Sequence, residues 1–477
     1  MTTSIYPTGT TIFDPDKAYN GYTIYVAREK GAALIDMNGK VVRLWEGLHG
    51  FPNKLLPGGF VMGSLGIRNP KYGYHDQTDL VQVDWDGNVV WKFDQYEFIE
   101  DPGQEGQWMA RQHHDYQRAG NPVGYYAPGM DPLTDQGNTL ILSHKNLTNK
   151  NISEKPLLDD VILEVNWEGD IEWEWVCSEH FAEMGFSESS KNAMARNPNM
   201  VVGDGVMGDW MHINSMSALG PNRFYDSGDD RFHPDNIIWD GRQTNIIAII
   251  DKPSGKIVWQ IGPDYDQSAE VRNLGWIIGQ HHAHMIPRGL PGEGNILVFD
   301  NGGFAGYGVP NPGSPSGHNN ALRDFSRVIE FDPVTLQVVW QYSYIEAGAI
   351  NKMNNYNFYS PLISGAQRLP NGNTLITEGS TGRLFEVTPA YETVWEYVSP
   401  FFGMDGLSNF VYRSYRVPYE WVPQLVKPLE KPIPRIDNST FRVPGSDLQN
   451  DIRGTKIDGV KGYEKPQLCV TAIDSNE

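Results

Sequence analysis

The chain has 477 residues, 39% apolar and 20% charged, and carries a formal net charge of −21. That balance repels phosphate backbones and anionic lipid, and no local basic patch offsets it, so nucleic acid and membrane surfaces are excluded as partners. Fourteen Trp, 23 Tyr and 50 Gly favour strands and tight turns over helices, and no segment approaches the ~18 consecutive apolar residues of a membrane span.

The amino terminus, Met1-Thr2-Thr3-Ser4-Ile5-Tyr6-Pro7, lacks the basic start and apolar run of a signal peptide. Read from Met1, the chain is expected in the cytoplasm; a periplasmic or secreted protein would require a leader removed beforehand. From there a unit repeats: a Gly- or Pro-containing turn, a strand, an alternating strand, a second turn, and a strand bearing Trp. The Trp strands are Val42-Arg43-Leu44-Trp45, Val89-Val90-Trp91, Ile171-Glu172-Trp173-Glu174-Trp175, Ile257-Val258-Trp259, Val338-Val339-Trp340 and Thr393-Val394-Trp395. Leading turns such as Leu56-Pro57-Gly58-Gly59 and Leu369-Pro370-Asn371-Gly372-Asn373 precede short apolar strands.

Short strands repeating at this length predict a propeller, whose blades each need neighbours to bury their faces. The first unit is short of one strand, and an orphan alternating stretch at 409–416 follows the last Trp unit; together they complete one blade and leave no open sheet edge. The fold class expected is therefore all-β, a six-bladed β-propeller closed by N- and C-terminal strands, with two separate β-sandwiches as the alternative. Residues 179–197 read as helical, with Phe181, Met184 and Met194 as the apolar set, and 311–317 as a loop; such insertions should rise over one face. Residues 1–424 make the propeller and 425–477 a Pro-rich tail laid on the surface. Cys177 and Cys469, the only cysteines, have no zinc-site spacing, and whether they pair is open.

Three of the twelve histidines fall in Gln280-His281-His282-Ala283-His284. A similar setting recurs in Gln112-His113-His114-Asp115 and Trp210-Met211-His212-Ile213-Asn214. The first strand of each blade lines a propeller's channel, so His114, His212 and His281 should converge on the axis. In an extended chain His282 faces away from His281, and Ala283 shares its side. Imidazole titrating near 6.5 can serve as base, acid, nucleophile or metal ligand. A metal reading would use His114, His212, His281 and His284 to hold iron or zinc; against it, no carboxylate is evidently paired with each His. A non-catalytic binding propeller is a third reading.

These segments, together with the strand at 241–251 that carries Arg242-Gln243, resemble the bacterial arylsulfotransferases that use no adenylylated sulfate donor, over about residues 6–424. The resemblance implies a transferase moving a sulfuryl group from an aryl sulfate ester to a phenol through a sulfated histidine in ping-pong fashion. On the matching motifs it makes His281 the nucleophile, His212 and His114 catalytic, and Asn214 and Arg242 substrate-binding, with no cofactor. Small-molecule sulfate ester and phenol are the implied partners; a homodimer is the assembly left open, and a hydrolase or lyase outcome remains the alternative at the same site. Arg231, in an insertion before Arg242, competes for the basic role. A sulfate monoester spreads one charge over three oxygens, which calls for donors around them and an in-line nucleophile. No Walker or glycine fingerprint is present, so nothing in the sequence asks for a nucleotide.

Overall fold

The computed structural model describes residues 7–73, 75–198, 208–303, 323–349, 352–404, 406 and 408–437. Six antiparallel sheets, each a meander of four strands, stand in a ring and make a six-bladed β-propeller. From inner to outer strand, the first blade is Ser414–Val417, Tyr22–Ala27, Gly31–Ile35 and Val41–Glu46. The second is His49–Leu56, Phe60–Ser64, Leu80–Val83 and Val89–Phe93. The third runs Gln112–Arg118, Thr139–Leu147, Leu157–Val165 and Ile171–Val176. The fourth is Ile213–Ala218, Ile237–Gly241, Ile246–Ile250 and Ile257–Ile261. His281–Met285, Ile296–Asp300, Arg327–Phe331 and Val338–Tyr342 form the fifth. Gly365–Arg368, Thr374–Glu378, Arg383–Val387 and Thr393–Val398 form the sixth.

Burial explains the sequence texture of each layer. Middle strands are covered on both faces and read as unbroken apolar runs, such as the fully buried Ile246–Ile250. Outer strands alternate, as in Val89–Phe93, where only Trp91 and Phe93 turn inward. The repeating Trp ties neighbouring blades together, because its indole N–H donates to a carbonyl at the turn before the outer strand of the next blade. Trp45 reaches Asp84 O at 3.3 Å, Trp91 reaches Trp167 O at 2.9 Å and Trp173 reaches Lys252 O at 3.2 Å. Trp259 reaches Pro333 O at 2.8 Å, Trp340 reaches Pro389 O at 3.3 Å, and Trp395 closes the circle on Met37 O at 2.8 Å. Each indole thus packs its ring against the next blade and satisfies its one donor there.

Both chain ends close the ring. Ser414–Val417 pairs with Tyr22–Ala27 as the innermost strand of the first blade, and Gly9–Phe13 adds to Thr393–Val398 as a fifth, outer strand of the last. The closing strand is shorter than the expected 409–416: it starts at Ser414, because Tyr412 and Arg413 turn their side chains to the axis instead of continuing the ladder. In such a meander the heads of the inner strands share a face with the connections from blade to blade, and the insertion that follows Val176 lies in one of those connections, whereas the one carrying Arg231 joins the tail of an inner strand to its neighbour. The former is helical as expected, a 3-10 segment Cys177–Met184 and an α-helix Glu188–Arg196 capped by Ser187, whose hydroxyl accepts from Ser190 N–H at 3.2 Å. Phe181, Met184 and Met194 are buried in it, in one cluster with Trp210. The loop expected at 311–317, Cys469 and the tail from 438 lie outside the described residues; Cys177 is buried. The compact unit that holds the propeller runs on to Arg435, with Ile433 bridged to Phe13. No helix among the described residues is long and apolar enough to cross a membrane.

Trp395 is fully buried and stacked on Tyr397, whereas Trp340 is only partly covered. Trp395→Ala is expected to cost about 3–5 kcal/mol and Trp340→Ala clearly less, read as shifts of the urea midpoint; equal shifts would contradict this account of the Trp ring.

Candidate functional site

Four inner strands lose register at their heads: between His49 and Lys54, Gln112 and Tyr116, Ile213 and Ser215, and His281 and His284. In two of them, and one residue ahead of a third, a histidine takes the left-handed backbone, His114 at φ +51°, His282 at +59° and His212 at +55°. Bulges of this kind re-aim side chains off the strand's alternation. The structure therefore corrects two expectations. The residue sharing the backbone of His114 and His212 is His282, not His281, and the chain at His282 is not extended, so simple alternation does not govern the pair.

His114, His212 and Arg242 do come together. The rings of His114 and His212 lie edge to face with centroids 4.6 Å apart, and Arg242 Nη1 is 3.4 Å from His212 Nε2. The guanidinium is held over His212 because the Arg242 N–H donates to His212 O at 3.0 Å where the chain turns between two strands of the fourth blade. His212 Nδ1 lies 2.6 Å from Asp209 Oδ2, so Nδ1–H donates to the carboxylate and Nε2 carries the lone pair. Among the four histidines of the metal reading, the structure pairs His212 alone with a carboxylate; His114 meets His113, His281 meets Asn301, and His284 meets His282 O and Tyr125. Asn214 donates its side-chain N–H to Gln280 O at 3.0 Å, tying the fourth inner strand to the fifth. Arg231 stands elsewhere, in a 3-10 turn between the first two strands of its blade, held on Asp229 at 2.6 and 2.9 Å.

His281 has its tautomer fixed by its neighbours. Asn301 donates to Ser360 O at 2.7 Å and Ile363 O at 2.8 Å, which turns its Oδ1 toward His281 Nδ1 at 2.8 Å. Nδ1 must therefore carry the proton and Nε2 the lone pair. In this conformation that lone pair accepts the Ile363 N–H at 3.1 Å. Ile363 and Ser364 are successive non-glycine residues at φ +56° and +90°, a costly conformation that the surrounding hydrogen bonds maintain.

Sequence reasoning missed the aromatic wall beside His114. Phe51 stacks on Tyr412 at 3.9 Å and on His75 at 5.0 Å, and meets His114 edge-on at 4.8 Å. His282 and His284 have rings 4.4 Å apart. His284 donates from Nδ1 to His282 O at 2.9 Å and meets Tyr125 Oη through Nε2 at 2.8 Å. Burial pushes all these imidazoles down: His114 well below its usual value with His212 adding to the effect, and His281 well below with Arg242 adding. For His212 burial outweighs the opposing pull of Asp209. The site is therefore lined by neutral imidazoles at neutral pH.

Among the described residues, the His, Cys, Asp and Glu side chains that converge closely enough for a metal are His113, His144 and Asp160, not the expected His114, His212, His281 and His284. The His113 and His144 rings stack at 3.5 Å and 11°, so their in-plane lone pairs run nearly parallel and do not aim at one point.

The family model described as Arylsulfotransferase (ASST) matches residues 130–399, more than half of the chain and including His212, Asn214, Arg242 and His281. The chain belongs to the arylsulfotransferase family. Membership makes it a transferase at the level of that family; His114 precedes the matched span. No curated protein matches the chain. Similar solved structures include a protein of unknown function from Bacteroides caccae (11% identity, 84% of this chain and 99% of that one, TM-score 0.43). Others are virginiamycin B lyase from Staphylococcus aureus (11%, 84% and 88%, 0.33) and the Dos1 propeller (12%, 82% and 76%, 0.30). The fold rests on the sheet topology described above rather than on these likenesses.

Burial lowers His284 to about 4, against ~6.5 in an unfolded chain. Below pH ~6.5 the unfolded state binds a proton that the native state refuses, so this contribution is whole above ~6.5 and is lost as pH falls toward 4. Between pH 6.5 and 4.5 the unfolding free energy should drop by up to ~1.4 kcal/mol per pH unit for this residue, measured by urea titration. His284→Gln should flatten the slope; an unchanged slope would refute the assignment.

Proposed function

We propose that this arylsulfotransferase-family protein moves a sulfuryl group from an aryl sulfate ester to a phenol in two steps through a sulfated His281. The observation that carries the reading is the tautomer of His281: Asn301 takes its Nδ1–H and leaves the Nε2 lone pair as the nucleophile, beside the positive charge of Arg242. In the first step Nε2 bonds to sulfur while the bond from sulfur to the aryl oxygen breaks, and the departing phenolate takes a proton from His114. In the second the acceptor phenol returns a proton to His114, its oxygen attacks sulfur, and the electron pair of the N–S bond goes back to Nε2. Splitting one displacement into two lowers each barrier.

Arg242 and Asn214 are donors for the sulfuryl oxygens, with Arg242 offering a planar fork oriented by His212 and Asp209. The lone pair of His281 is engaged by Ile363 N–H at rest, so attack requires that contact to open. The apolar ring of Phe51, edge-on to His114, favours a phenol over water as acceptor.

Mixing the protein with 4-nitrophenyl sulfate in the absence of acceptor should add one sulfuryl group to its intact mass, and His281→Asn should abolish both the adduct and transfer. Arg242→Ala should lower kcat/KM by about 10²–10³-fold, with Arg231→Ala unaffected. An adduct that forms normally on His281→Asn, or full loss in Arg231→Ala, would overturn these roles.

A further inference from the structure

Behind His114 lies a chain of buried polar groups that sulfuryl transfer as written does not use. His114 Nδ1 is 2.8 Å from His113 Nδ1. His113 Nε2 faces Asp160 Oδ1 at 3.3 Å, and the same oxygen is 3.8 Å from His144 Nε2. His113, His144 and Asp160 are wholly buried, and the facing atoms, His113 Nε2, His144 Nε2 and Asp160 Oδ1, each lack a hydrogen-bond partner. Buried polar atoms left open in this way need a reason.

The proton positions follow from the far end. Asp76 is held by Arg68 at 3.0 Å and Arg111 at 2.9 Å, so it is a carboxylate. His144 Nδ1, at 2.6 Å from Asp76 Oδ1, donates to it, and in a neutral imidazole that leaves Nε2 a bare acceptor facing Asp160, in keeping with its lack of a hydrogen-bond partner. An ionised Asp160 would then set a carboxylate oxygen against that lone pair. A proton on Asp160 removes the clash and lets its O–H point at His113 Nε2. His113 Nδ1–H in turn donates to His114 Nδ1, and His114 is left with Nε2–H for the channel. Independently, burial and the nearby Asp209 push the Asp160 carboxyl well above the usual carboxylate range.

We propose that Asp160 and His113 form a proton relay to His114, and that Asp160 holds the proton deficit between the two half-reactions. This rests on the sulfuryl transfer proposed for His281. When His114 gives its Nε2 proton to the phenolate, its Nδ1 takes the proton of His113 Nδ1, and His113 Nε2 takes that of Asp160, which becomes a carboxylate. The acceptor phenol drives the same three transfers backwards, so protons balance over a cycle. Asp160 and His113 touch no substrate and are positioning residues; His114 is the group that reacts.

The test is the burst of phenol released from the full chain before any acceptor is added, compared for two donors. 4-Nitrophenolate leaves without a proton, whereas phenolate, with a conjugate acid near pKa 10 like that of Tyr, needs one. Asp160→Asn should slow the burst from phenyl sulfate by about 10²-fold, in the range of general acid catalysis, and leave that from 4-nitrophenyl sulfate nearly unchanged. Equal losses with both donors, or none with either, would remove the relay. Should the variant fail to fold, the unaltered protein still decides: its burst with phenyl sulfate in H2O and D2O mixtures should give a curved proton inventory, several protons moving together, and a linear one overturns the proposal. If the unaltered protein forms no adduct with either donor, the sulfuryl-transfer reading falls and the relay with it; a normal adduct with uniform losses removes the relay alone.

Discussion

At the propeller axis Asp115 accepts from Lys54 at 2.7 Å and from Arg413 at 2.8 Å, and all three side chains are almost wholly buried. Burial alone would raise the Asp115 carboxyl, but the two cations outweigh it and hold it below its usual value. Taking one partner from such a group leaves a charge in the interior, a loss of about 3–5 kcal/mol in comparable cases. The knot joins the second blade, the third, and the segment that closes the first. Arg413 also donates to Asn214 O at 3.1 Å, and Tyr412 Oη donates to Asn214 O at 3.0 Å and His114 O at 3.2 Å. The backbone that presents His114 and Asn214 is thereby fixed from below by charge and hydrogen bonds rather than by strand pairing, which the bulges have interrupted.

That arrangement accounts for the site's electrostatic character. Imidazoles crowded at the heads of buried strands stay neutral, and the positive charge is carried by Arg242 beside His212 and by Arg413 and Lys54 on Asp115. On the proposed reading an anionic substrate meets a fixed cation and a set of neutral lone pairs, so attraction and nucleophilicity reside in different residues. Asp209 and Asn301 then select which nitrogen of His212 and of His281 bears the lone pair, a division of labour in which outer partners set the chemistry of inner ones.

Much of the fold was legible because one physical requirement recurs six times. Every outer-strand indole must find a carbonyl at the neighbouring blade's turn, and that obligation leaves Trp at a fixed place in each unit. Arg242 stood out through its motif, and its contact with His212 follows from the short turn that carries it. What stayed hidden depends on backbone geometry or on long-range pairing. The left-handed turn at His282 reflects a bulge, which no side-chain pattern signals. Asp209, three residues before His212, precedes the strand and carries no periodic signal of its own. Asn301 is 20 residues from His281 in the chain. Tyr412 and Arg413 alternate like strand residues and yet serve the axis, because the ladder begins one residue later.

The closure of the ring also sets when the site can exist during synthesis. The residues proposed to react with or bind the sulfuryl group, His114, Asn214, Arg242 and His281, are in the chain by His281, yet the floor beneath them waits for Tyr412 and Arg413, and the first blade waits for its innermost strand, Ser414–Val417. A nascent or prematurely terminated chain therefore holds the full set of reactive groups without the axial charges that orient them. On the sulfuryl-transfer reading, order of synthesis becomes order of assembly: His281 is made early, and its surroundings are complete only once Ser414–Val417 has left the ribosome and paired with Tyr22–Ala27.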